Sequence, residues 1–201
     1  MLKLNPINSL GLEGQTFLGV LINPPWPLDA TIESPPNLLI TFLKSLLSPS
    51  LLPSGMVFLW TLKALFPQVF DLMAELGLHY VENLLWVRML VNNRPSASDS
   101  PFFRSSKSVL MVFRRFAKKE NLELRHQRSA DVVLDFVPPP ASWTSECVEP
   151  KPMAVHEMIE TLLPDAAYKA NVGRGQLLEV WSRKDGHRSG WTTLHQVTGI
   201  L

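Results

Sequence analysis

Apolar residues fall along this chain in short unbroken runs, separated by stretches of helical spacing. Residues 15–22, QTFLGVLI, form the first run, bounded by Gly14 and Asn23. A strand that is apolar without alternation is buried on both faces, as in a parallel sheet covered by helices. Residues 56–60, opened by Gly55, predict a second such strand. The intervening NPPWPLDATIESPP carries five prolines, which exclude helix and central strand there. After it, residues 37–47 have helical spacing. Residues 65–76 predict an amphipathic helix stopped by Gly77. Residues 80–91, rich in β-branched and aromatic side chains, predict a third strand, with further strands at 109–113, 132–137 and 176–181. Pro152, Glu157 and Pro164 bracket a helix over 153–163, and a short tail begins at Trp191. Between these elements lie an N-terminal arm (1–14), a polar loop of mobile composition (92–101, NNRPSASDSP), a basic unpatterned stretch (114–128) and a linker (138–150). Strands alternating with helices predict one α/β domain, 1–201, with a doubly wound sheet.

Composition narrows the class. The 201 residues are 46% hydrophobic and 18% charged, the balance of a globular chain that needs no staples. Cys147 stands alone, which excludes an internal disulfide framework and a cysteine zinc site. The longest apolar stretch, 51–70, is broken by Pro53, Gly55, Lys63 and Pro67, so no bilayer span is expected. The first residues lack the apolar core of a signal peptide, and an intracellular location is expected. A net charge of +1 does not announce a nucleic-acid binder, so such binding must come from a local cluster. No His/Asp/Glu set has metal-ligand spacing, and no nucleophile elbow or phosphate loop occurs.

Candidate chemistry sits where the first strand ends, at Asn23-Pro24-Pro25-Trp26. Open α/β sheets bind ligands outside the carboxyl ends of their strands. An exocyclic amine on a base is a poor nucleophile, because its lone pair is delocalised into the ring. A side-chain oxygen and a backbone carbonyl that accept its two hydrogens favour the reactive geometry. Two prolines stiffen such a loop and bring no N–H to compete for the carbonyl, and a tryptophan offers a face for a flipped base. A proline turn that merely caps a strand has the same letters.

The order of motifs along the chain discriminates further. NPPW (23–26) is followed by LLWVR (84–88), RSSKSVLMVFRR (104–115), KPMAVHEMIETLLP (151–164) and WSRKDGHRSGW (181–191). In that order these segments resemble the MT-A70 family, the adenine-N6 methyltransferases of RNA and DNA. The resemblance implies a Rossmann-like S-adenosylmethionine-dependent methyltransferase fold, with a mixed, mostly parallel sheet and helices on both faces. It places Asn23, Pro24, Pro25 and Trp26 against the target adenine. By the same resemblance Lys151 matches the lysine near the cofactor's methionine carboxylate, Arg183 the arginine near its ribose, and Lys107 the lysine of a Lys-Glu stretch. Departures fall on the same site. Asn23 replaces the family's catalytic aspartate, and Ser108 replaces the Glu after Lys107. Lys184-Asp185-Gly186 and His195-Gln196-Val197 replace polar cofactor contacts. Each unpaired group in a site built for hydrogen bonds loses about 1–3 kcal/mol. The chain is thus most similar to the family's non-catalytic partner subunits. That implies a nuclear heterodimer with a catalytic family member, bound to RNA or DNA, in which this chain does not itself hold S-adenosylmethionine. The alternative is an active enzyme that uses Asn23.

The local charges bear on nucleic acid. Arg104, Lys107, Arg114, Arg115, Lys118, Lys119, Arg125 and Arg128 fall close together and are candidate phosphate contacts, with Glu120, Glu123 and Asp131 among them. Leu46-Leu47, Leu51-Leu52 and Phe102-Phe103 are candidates for an apolar partner surface. Trp60, Trp86 and Trp181 read as core within strands, and His79 and His156 as loop and surface residues.

Overall fold

The structure is a computed structural model that describes residues 11–24, 26, 37–97, 102–117, 122–125, 129–137, 149–166, 175–182 and 188–195. Among these residues the strands are β1 (Gly19–Ile22), β2 (Gly55–Thr61), β3 (His79–Met89), β4 (Lys107–Arg115), β5 (Val132–Phe136), β6 (Leu177–Val180) and β7 (Trp191–Leu194). The α-helices are α1 (Asn37–Leu46), α2 (Phe66–Glu75) and α3 (Ala154–Leu162). The strands form one sheet in the order β5-β3-β4-β2-β1-β6-β7. Every neighbouring pair is parallel except the two made by β4, which runs against both β2 and β3. The chain is therefore α/β with a mixed, mostly parallel sheet.

Burial follows the pleat. Val20 and Ile22 of β1, with Val57 and Leu59 of β2, pack under α1 and α2 through Leu39, Phe42, Leu43, Leu46, Val69, Leu72 and Met73. The opposite side chains, Leu21, Phe58, Trp60, Trp86 and Leu110, pack under Val155 and Ile159 of α3. Alternate residues thus feed two cores, and helices cover both faces, which is why these strands read as unbroken apolar runs. Gly77 ends the α2 region at a φ of 68°, the left-handed conformation that Gly adopts without strain.

Three expectations change. Residues 191–194 are not a tail but a seventh strand beside β6. Leu46, Leu47, Leu51 and Leu52 are all buried, so they fill the core rather than an interface. His156 is only 8% exposed and its Nε2 lies 3.2 Å from Oε1 of Glu179 on β6, so it is not a surface residue.

Candidate functional site

β1 connects to β2 on one side of the sheet, while β6 connects to β7 on the other. The crevice outside the carboxyl ends of β1 and β6 is therefore the topological switch point, where open α/β sheets bind ligands. Asn23 lies there: its backbone N–H donates to the carbonyl of Val180 at 3.2 Å. Trp181, the next residue after β6, is buried at a φ of 60° and packs against the Phe42 ring at 5.1 Å and an interplanar angle of 58°. A bulky side chain in the left-handed region is a strained arrangement, of a kind that collects at functional sites.

Trp26 is held by two hydrogen bonds. Trp26 N–H donates to the carbonyl of Pro24 at 2.7 Å, and its indole Nε1 donates to the carbonyl of Trp60 at 2.6 Å. The carbonyl expected to face an incoming amine thus already accepts from the loop itself. The prolines bring no N–H, but the tryptophan two residues on does. The Asn23 amide nitrogen donates to the carbonyl of Glu149 at 3.4 Å. Pro25 lies outside the described residues.

Lys151 enters the same place from the segment before α3. Its ammonium lies 5.1 Å from the Trp60 ring and 5.4 Å from the Trp86 ring, and 2.5 Å from Oε2 of Glu149. Glu149 Oε1 also lies 3.6 Å from Arg88, whose NH2 donates to the carbonyl of Ser105 at 3.0 Å. The Lys151 side chain is 13% exposed. Burial lowers its pKa from the ordinary value, and the Glu149 carboxylate works against that fall. Trp60 is buried and its indole Nε1 has no hydrogen-bond partner among the described residues.

These residues were visible in the sequence for other reasons. Trp60 and Trp86 read as core, Arg88 as part of a motif, and Glu149 as linker. The missed signal is Glu-Pro-Lys-Pro at 149–152. Proline favours extended backbone around it, and residues two apart in extended chain put their side chains on one side.

The fit of the implied cofactor can be tested on this geometry. The methionine carboxylate that Lys151 would receive meets a lysine already paired with a carboxylate, so as the chain stands the site does not fit S-adenosylmethionine. Arg183 lies outside the described residues. His195, at the end of β7, stands where the resemblance expects a residue facing the cofactor, and its Nδ1 has no partner among the described residues.

The basic cluster is divided. Arg104 and Lys107 are exposed and lie on the edge of the sheet that carries Asn23. Arg114 lies seven residues along β4, roughly 24 Å away at about 3.4 Å per residue, with its guanidinium over the Phe116 ring at 4.7 Å. Arg115 is corrected outright. It is 6% exposed and donates to the carbonyls of Leu52, Leu47 and Leu76 at 2.7, 2.9 and 2.5 Å, so it is an internal clamp. Lys118 and Lys119 lie outside the described residues. Phe102 and Phe103 are 89% and 82% exposed.

No family model and no curated protein sequence matches this chain. Among the described residues no helix is long and apolar enough to cross a membrane, and no His/Cys/Asp/Glu group could hold a metal ion.

Proposed function

We propose that this chain is an MT-A70-like subunit of an adenine-N6 methyltransferase complex acting on RNA or DNA. Its own site is degenerate, and it supports nucleic-acid binding and a catalytic partner. The observation that carries this reading is the meeting of Asn23, Trp26 and Lys151 at the switch point. Asn23 and Lys151 are 128 residues apart by number, yet both contact Glu149. The MT-A70 resemblance assigns them to one site, and a mixed, mostly parallel sheet with helices on both faces agrees with the Rossmann-like fold it implies.

The non-catalytic part rests on how these groups are used. The Pro24 carbonyl, the Trp26 indole and the Lys151 ammonium are each engaged within the chain. A site that binds and turns over a base keeps such groups directed at its substrate. Ser108, Lys184, Asp185 and His195 stand where the resemblance expects other polar residues. Arg104 and Lys107 supply cations at the rim, and exposed Phe102 and Phe103 supply apolar surface for the catalytic subunit. Nuclear location belongs to the same resemblance.

The test uses the chain reconstituted with a catalytic family member. Asn23→Ala in this chain should leave the methylation rate of the pair nearly unchanged. Co-expression should raise soluble yield and melting temperature, because a bound partner adds to apparent stability. A rate loss of about 100-fold, as expected for removing a transition-state acceptor, would establish the active enzyme that uses Asn23 instead.

A further inference from the structure

We infer that Glu149 is a built-in occupant of a carboxylate-binding site, pairing with a Lys151 ammonium that accepts an amino-acid carboxylate once Glu149 is removed. The choice of an amino acid as ligand rests on the reading above; the carboxylate site itself does not. Its own basis is the cage. A lysine ammonium is held by the faces of two tryptophans, largely out of water, at the crevice where this architecture receives ligands. An ammonium so placed requires an anion, because an unpaired buried charge is strongly disfavoured. Here the anion comes from the chain two residues upstream, with Pro150 between, so the pairing is local and lost only if that segment rearranges.

Two further groups bear on the pair. Arg88 brings a second cation within 3.6 Å of the other oxygen of Glu149, so each carboxylate oxygen faces a cation. The Trp60 indole N–H, buried in the ring that Lys151 covers, donates to nothing among the described residues. A free carboxylate must displace one held on a short tether, which acts at an effective concentration of millimolar order or above. The wild-type chain is therefore closed to such ligands at cellular levels.

The experiment titrates the full chain and its Glu149→Gln and Glu149→Ala variants with L-methionine and, separately, with S-adenosylmethionine. Calorimetry and tryptophan fluorescence report binding, and melting curves confirm that each variant is folded. Glutamine removes the charge at nearly constant shape, and alanine also opens the space. Expected is no binding by wild type and methionine binding at least about ten-fold tighter in the variants, as for one charge-assisted pair. Tight methionine binding by wild type overturns the inference. So does a folded Glu149→Ala variant that binds methionine no better than wild type. One measurement needs no variant: the Lys151 Nζ nitrogen resonance of wild type should be unmoved by methionine, and a shift overturns the inference. If a variant binds methionine but S-adenosylmethionine no more tightly, the carboxylate site stands and the methyltransferase reading loses its cofactor pocket.

Discussion

Arg115 shows how much one residue can be misread from its neighbours in sequence. It sits in a run of cations, yet its guanidinium satisfies three carbonyls, those of Leu47 just after α1, Leu52 before β2 and Leu76 just after α2. Burial lowers its pKa from the ordinary arginine value, but arginine stays charged in proteins. Its five donors in a planar fork make it suited to such a place. Removing it leaves carbonyls facing a cavity. Arg115→Met should destabilise the chain by about 3 kcal/mol, and Arg115→Lys, with one compact donor group, by somewhat less. Urea unfolding measures this, and a loss under about 1 kcal/mol for the methionine variant would contradict the clamp.

At the scale of elements, β4 decides which cations act together. Because it runs antiparallel between β2 and β3, its first residue lies at the edge that carries Asn23 and its last at the opposite edge. The ends of a strand of 9 residues are too far apart to meet the same phosphate. Arg104 and Lys107 therefore lie at the end of the sheet that carries Asn23, and Arg114 at the opposite end. In the reconstituted complex, Arg104→Ala with Lys107→Ala should weaken RNA or DNA binding. The salt dependence should flatten by about two counterions' worth of slope. Arg114→Ala should leave both nearly unchanged. Filter binding across a salt series distinguishes the two, and equal effects would return the cluster to a single patch.

Across the whole molecule, α3 is tied to the β6–β7 end of the sheet by one polar network. Arg188 meets Glu160 of α3 through Nε at 2.5 Å and NH2 at 2.7 Å, and Trp191 of β7 donates its indole N–H to Glu160 at 2.7 Å. His156 of α3 packs on Trp191 at 5.1 Å and pairs with Glu179 of β6. The network fastens α3 to the two strands added last. Hydrogen bonding from Arg188, foremost, holds the Glu160 carboxyl below its ordinary value of 4.5. A carboxyl depressed by folding stabilises the native state above its unfolded value, and that stabilisation is lost as pH falls through the folded one. Melting temperature should therefore fall below about pH 4.5, and Glu160→Gln should flatten that acid limb while lowering stability at neutral pH. Thermal melts across the range check it, and an unaltered acid limb in the variant would exclude Glu160 as its source.

The sequence by itself determined the α/β class and the place of six strands and three helices. These are local properties: unbroken apolar runs, helical spacing, and proline and glycine stops act within a few residues of chain. Only the tertiary structure decided which of those residues share a site. The reversal of β4, the joining of β7 to β6 and the strained turn at Trp181 all depend on contacts between distant segments. The same is true of Glu149, an unremarked linker residue in the sequence. Between Lys151 and Arg88 it becomes the group that closes the site. Charge and aromatic letters carry no record of whether they face water, a ligand or each other, because that is set by packing across the sheet.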